Sequence, residues 1–145
     1  MDNQLVLTEI YSEICGRIIT DVFILIEDTL IKVNAQWDTG ATKSSISKEL
    51  IQKLKLEPIK QNEVTTTVGI GKKAIYNVDI VLKDDSDILI PVEASEGDNL
   101  KQTGIDLLIG MDVIHFGDFA ISNYNGRTCF SFRIPSKGNI DFTKD

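Results

Sequence analysis

Apolar residues in this chain come in short runs broken by polar or glycine-bearing turns, the signature of strands rather than of long amphipathic helices. The first pair, Val22 to Ile26 and Thr29 to Ala35, meets at Glu27-Asp28 and predicts a hairpin. One stretch departs from the strand pattern. Lys48 to Lys55 predicts a helix, with Ser47 as its N-cap, Glu49 in the first turn and an apolar stripe of Leu50, Ile51 and Leu54, stopped by Pro58. Val64 to Val68, a turn over Gly69-Ile70-Gly71-Lys72-Lys73 and then Ala74 to Leu82 predict a second hairpin with a glycine-rich tip.

Asp84-Asp85-Ser86-Asp87 reads as an acidic turn before a strand over Ile88 to Ala94, and the polar stretch Ser95 to Thr103 as a mobile loop. Ile105 to Gly110 predicts a buried strand closed by glycine, and Met111 to Phe116 one or two helical turns. Phe119 to Ile121 and Thr128 to Ile134 flank Asn125-Gly126, a pair that favours a tight hairpin turn. Phe130 and Phe132 alternate with Cys129, Ser131 and Arg133, as in a half-buried strand. The expected architecture is a single, mostly β, closed domain over residues 1–145 with one or two short helices. Residues 1–20 form an N-terminal extension or interface segment, and 136–145 a polar tail that frays.

With 145 residues the chain is long enough for a real core, and 42% hydrophobic and 26% charged residues are ordinary for a globular protein. A formal charge of −7 argues against nucleic acid, because phosphate binding needs clustered Lys and Arg. Cys15 and Cys129 have no metal-type spacing and are expected as reduced thiols. Met1-Asp2-Asn3-Gln4 lacks a basic n-region, Leu5-Val6-Leu7 is too short for a signal peptide, and Val22 to Ile26 is too short to span a membrane. A cytoplasmic protein with no membrane partner is the expectation.

Chemistry is concentrated after the first hairpin, where Asp38-Thr39-Gly40-Ala41 precedes the hydroxyl-rich stretch Thr42 to Ser47. A carboxylate at a strand-to-loop transition, held by a small hydroxyl residue and a glycine, suits the positioning of a water. Asp and Gly also recur in ordinary turns, so Asp38 alone reads equally well as a residue bonding its own backbone. Two further features accompany it: the Gly69-Ile70-Gly71 segment and Leu107-Leu108-Ile109-Gly110-Met111-Asp112, of hydrophobic-hydrophobic-Gly form.

Other candidates are weaker. His115 is the only histidine and lacks a serine- or cysteine-nucleophile signature, so it reads as a helix-end residue. Gly69 to Lys73 lacks the phosphate-loop spacing, leaving Lys72 and Lys73 as a solvated turn. The acidic turn fails the calcium-loop pattern. Asp112 reads as a cap of the short helix or a brace for a neighbouring loop.

Taken together, Asp38-Thr39-Gly40-Ala41, the Gly-Ile-Gly hairpin and Leu108-Ile109-Gly110 resemble the retropepsin family, the retroviral-type aspartic proteases and their bacterial relatives, over roughly residues 20 to 135. The resemblance implies a closed β-barrel-like subunit in which Asp38 is catalytic and Thr39, Gly40 and Ala41 support its loop. It also implies that Leu108, Ile109 and Gly110 thread through that loop, and that Val68, Gly69, Ile70 and Gly71 belong to a flap over substrate. Thr39 would bond across to a partner's loop.

The chain carries one such motif, because Asp106, Asp112 and Asp118 lack the hydroxyl-glycine sequel. The implied enzyme is therefore a homodimer that hydrolyses peptides without metal or cofactor, through a water held between two Asp38 carboxylates. The alternative is an inactive peptide-binding or dimerisation module of the same fold. Two-domain relatives usually carry a hydroxyl where Ala41 stands. Without that donor to the active-site carboxylates, a mildly acidic optimum is expected. Two departures stand out. Gln36-Trp37 precede Asp38 where smaller aliphatics are usual, with Trp37 read as core before pocket lining, and the segment before Val22 is long. That long segment leaves open whether the termini interleave between subunits.

Overall fold

The computed structural model describes residues 4–144, without the side chains of Val64 and Thr66. The ends of both terminal segments, residues 1–3 and 145, lie outside the described residues. Among the described residues, ten strands and two short α-helices make up most of the structure.

Strands β2 (Ile18–Ile26) and β3 (Thr29–Trp37) form the predicted hairpin and extend it at both ends. Its two-residue turn needs positive φ twice, and Glu27 (φ 46°) and Asp28 (φ 67°) supply it. Alternation then sorts the residues: Ile18, Thr20, Val22, Ile24, Val33, Ala35 and Trp37 are buried, while the residues that alternate with them are more exposed. β4 (Ser45–Ser47), β6 (Gly69–Lys83), β7 (Asp87–Gly97) and β8 (Leu107–Ile109) continue the sheet in the order β2-β3-β8-β4-β7-β6. Phe23 and Ile24 of β2 pair with Val81 and Ile80 of β6, which closes these six strands into a barrel. Closure gives each of these six strands a neighbour on both sides, and the inward side chains form the core.

A second sheet, β1 (Leu5–Ile10), β10 (Cys129–Ile134) and β9 (Asp118–Ser122), packs against one end of the barrel. Leu5 to Ile10 pair antiparallel with Ile134 to Cys129 of the same chain. Phe130 and Phe132 are both 1% exposed, as the alternation predicts. They meet Trp37 at centroid distances of 5.0 and 4.9 Å, and Phe119 lies 6.4 Å away. The indole Nε1–H donates to Thr20 Oγ1 at 2.9 Å, so the one polar atom of Trp37 is satisfied in the core. Trp37 is therefore core, as expected, and it anchors the strand that ends at Asp38.

Helix α1 (Lys48–Leu54) is capped by Ser47, whose hydroxyl oxygen accepts the Leu50 N–H at 3.1 Å. It ends before Pro58 can act. Lys55 turns left-handed (φ 54°), and the Lys55 and Leu56 amides bond back to Gln52 and Ile51. Helix α2 (Met111–Ile114) is a single turn with His115 as its C-cap.

Three loop expectations need correction. The second hairpin turns at Thr67-Val68, because β5 (Lys60–Thr66) pairs Thr66 with Gly69, Glu63 with Lys72 and Asn62 with Lys73. Gly69 to Lys73 are thus strand, and Lys73 reaches Asp98 at 3.2 Å instead of dangling in a turn. Ser95 to Gly97 are also strand, paired in parallel with Ser45 to Ser47. Small polar side chains hid this pairing, and their hydroxyls meet each other, Ser45 Oγ to Ser95 Oγ at 3.2 Å. The third hairpin is wider than a tight turn: six residues separate Ser122 from Cys129, with Asn125 and Gly126 both at positive φ.

Candidate functional site

Asp38 follows directly on the buried end of β3. Its backbone N–H donates to Ile109 O at 2.8 Å, which extends the parallel pairing of β3 with β8 by one rung. Its Oδ1 accepts the Gly40 N–H at 2.8 Å. A Cβ on Gly40 would come within 3.1 Å of that oxygen, so glycine lets the loop close around the carboxylate. Asp38 does bond its own loop backbone, as an ordinary turn residue would, but its other oxygen, Oδ2, has no partner among the described residues. Asp38 is half-buried, and Thr39 and Gly40 are exposed beside it.

The loop from 38 to 44 is stitched to the segment 109–112 at every third residue. Ile109 O accepts from Asp38, and Ala41 O accepts the Met111 N–H at 2.7 Å. At the third rung Ser44 Oγ accepts the Gly110 N–H at 3.1 Å. Leu108, Ile109 and Gly110 therefore pass between β3 and β4, with β8 paired to both. Gly110 is buried there, where a Cβ would meet Ala41 O at 2.7 Å and the Lys43 carbonyl at 2.9 Å. Only glycine lets the two backbones approach this closely.

Ser44 is a residue the sequence reading passed over. It is fully buried and donates both its N–H (2.9 Å) and its hydroxyl (2.7 Å) to the Asp112 carboxylate. Of the two roles read for Asp112, bracing a loop is the one found; Gly110 is the N-cap of α2, with no side-chain cap. Nothing in the serine-rich stretch distinguishes Ser44 from its neighbours. Only the matched spacing of 38, 41 and 44 against 109 to 112 could have pointed to it.

The remaining candidates lie apart. Val68 and Ile70 are 95% and 73% exposed at the tip of the second hairpin, flanking Gly69 (φ 127°), with Gly71 also exposed on β6. Asp106 is structural: Oδ2 accepts the Asn34 N–H and Oδ1 accepts from Lys101 Nζ at 3.1 Å. His115 stacks edge-on against Phe116 at 4.5 Å and borders a cavity of about 660 Å³ together with Lys43, Asp79, Glu93 and Asp112. Asp38 is not among the walls of that cavity. Cys15 and Cys129 are free thiols. Among the described residues, no group of three or more His, Cys, Asp and Glu side chains is arranged to hold a metal ion, and no helix is long and apolar enough to cross a membrane.

The profile of the aspartyl protease family matches residues 24–113, which take in the end of β2, all of β3, the Asp38 loop and β8. Among solved structures, a retropepsin-like aspartic protease from Rickettsia conorii superimposes with a TM-score of 0.55 at 18% identity, over 92% of this chain and 97% of that one. The likeness supports the mostly β, retropepsin-like fold. The simian foamy virus protease (TM-score 0.44, 20% identity, 67% of this chain and 93% of that one) and the EIAV protease (0.45, 20%, 69% and 86%) are too distant in shape to add weight. No curated protein matches the chain by sequence.

Proposed function

We propose, from the premise that this chain belongs to the aspartyl protease family, that it is an aspartic endopeptidase active as a homodimer. Each copy contributes one Asp38. Two carboxylates at close range cannot both stay ionised cheaply, so the pair shares one proton. The ionised member takes a proton from the water between them as that water attacks the scissile carbonyl carbon. The protonated member polarises the carbonyl oxygen, and a proton then passes to the leaving nitrogen as the C–N bond breaks. No metal, cofactor or covalent intermediate enters.

The single observation that carries this reading is the contrast within the Asp38 loop. The loop is bonded to the barrel at three rungs, two through its backbone and one through the Ser44 hydroxyl, yet Asp38 keeps one free oxygen among the described residues and lies beside exposed Thr39 and Gly40. That is half of a site, with an open side for a second copy. In the assembled enzyme Thr39 bonds across to the partner's loop. The hairpin tip at Val68, Gly69, Ile70 and Gly71 serves as the flap over an extended peptide, whose main chain supplies general affinity. Residues 1–145 act as one unit, and the two free thiols suit a reducing compartment such as the cytoplasm. Ala41 offers no hydroxyl to the carboxylates, so the optimum lies at mildly acidic pH; a maximum below about pH 3 would contradict this.

A peptide-library cleavage assay across pH tests the reading, comparing wild type with Asp38→Asn at equal dimer fraction. Cleavage by wild type that vanishes in the variant is the expected result. Cleavage that persists unchanged removes the mechanism, and a stable dimer that cleaves nothing favours a peptide-binding module.

A further inference from the structure

We propose, resting on the endopeptidase reading above, that Asp112 is a positioning residue for the Asp38 loop and that Ser44 is the node through which it acts. The loop crosses from β3 to β4 without repetitive structure, and its first two rungs are ordinary backbone bonds at residues 38 and 41. The third rung is built differently. Ser44 has its N–H and O–H on the Asp112 carboxylate, its Oγ on the Gly110 N–H, and its carbonyl on the Ser95 N–H at 3.2 Å. All four hydrogen-bonding functions of one fully buried residue are used, and the acceptor of two of them is a carboxylate. Bonds to a carboxylate are stronger than bonds between neutral groups, and two of them converge here, so Asp112 is the anchor of this rung.

Asp112 sits in the turn of α2, immediately beyond the segment that bonds to Asp38 and Ala41. It therefore ties the far end of the loop to the same short segment that holds its near end. Without it the third rung keeps only the Ser44 Oγ bond to the Gly110 N–H and the Ser44 carbonyl's bond to the Ser95 N–H. Ser44 then loses the two bonds that fix its hydroxyl against Gly110, and the loop before it can shift, carrying the Gly40 N–H relative to the Asp38 carboxylate. Reacting groups misplaced by about 1 Å can cost on the order of 100-fold in rate. Asparagine is a graded probe, because its amide has one acceptor oxygen where the carboxylate has two.

The test compares wild type, Asp112→Asn, Asp112→Ala and Ser44→Ala at equal dimer fraction, by steady-state peptide hydrolysis and by amide hydrogen exchange. Asp112→Ala should lower kcat roughly 10- to 100-fold with KM within about twofold, and Asp112→Asn should fall between it and wild type. The Ser44 and Gly110 amides should exchange at least about tenfold faster in Asp112→Ala. A kcat within about twofold of wild type despite that faster exchange overturns the positioning role, as does a loss confined to KM. Should Asp112→Ala not fold, Asp112→Asn and Ser44→Ala carry both measurements. If wild type cleaves nothing, the endopeptidase reading falls. The exchange data then stand alone, and unchanged protection of Ser44 and Gly110 overturns the clamp itself.

Discussion

The Asp38 loop and the tip of the β5–β6 hairpin look alike as sequence, since each mixes glycine with small or polar residues. They are built in opposite ways. The Asp38 loop is crossed by a second segment, bonded to it at residues 38, 41 and 44, and its key glycine, Gly110, lies on that crossing segment. The hairpin tip projects at the end of its own two strands, β5 and β6, and lifts Val68 and Ile70 into solvent. Glycine serves different ends in the two places. Gly110 has ordinary torsion angles but no room for a Cβ, whereas Gly69 has open space around it and a φ of 127° that other residues rarely adopt. Composition cannot tell a bolted loop from a projecting one; what distinguishes them is whether a distant segment comes back to bond the turn.

The largest expected effect lies at the bolted loop. Asp38→Asn should lower peptide hydrolysis by about 1,000-fold or more, with circular dichroism and dimer fraction unchanged, because it removes general acid–base chemistry and leaves the loop's bonds in place. Next comes Gly110→Ala. The atoms in the way are backbone carbonyls that cannot swing aside, so a loss of about 1–3 kcal/mol is expected in urea melts, and a change below about 0.5 kcal/mol would show the crossing to be looser than described.

The hairpin tip should behave the other way round. Ile70→Ser is expected to move stability by less than about 0.5 kcal/mol while raising KM several-fold, because an exposed side chain adds little to the fold but would touch bound peptide. A loss of stability without a change in KM would make the tip structural.

How much of this was legible in the chain depends on the reach of each signal. Local signals worked: Glu27-Asp28 marked a turn, Ser47 marked a helix start, and the alternation around Phe130 and Phe132 marked a half-buried strand. The Asp38-Thr39-Gly40-Ala41 and Leu108-Ile109-Gly110 segments were visible as motifs. Their bonding to each other is an observation of the structure. Non-local pairing was what escaped. Ser45 to Ser47 and Ser95 to Gly97 look like loop because neither carries an apolar pattern, and they become strands by long-range pairing, with each other and with β8 and β6 respectively. Ser44 was missed for the same reason: its importance comes from Asp112, 68 positions along the chain. The second hairpin's apex was placed too late, over Gly69 to Lys73 instead of at Thr67-Val68, because those residues resemble a turn. Their cross-strand partners, Glu63 opposite Lys72 among them, decide the register instead.

The smallest effect concerns a second carboxylate anchor, which sharpens the comparison from outside the site. Asp118 accepts from Ser136 Oγ (2.6 Å), the Lys137 N–H (2.8 Å) and Arg133 Nε (2.7 Å), and these donors hold its carboxyl down at about 2. A depressed folded value stabilises above the unfolded value of about 3.9 and is lost as pH falls toward 2. The start of the polar tail should therefore stay docked at pH 5 and release between about pH 4 and 2, read from the Lys137 amide resonance. An amide that does not respond in this window would show that Asp118 does not hold the tail.

The central claim is that two Asp38 residues from separate copies make one active site, and mixing copies tests it most directly. Wild type and Asp38→Asn, unfolded together in equal amounts and refolded, should pair at random. Only wild-type pairs then hold two carboxylates, so activity per total protein should be about one quarter that of wild type alone. An activity of about one half, falling in proportion to the wild-type fraction, would mean that each chain works by itself and would contradict the account.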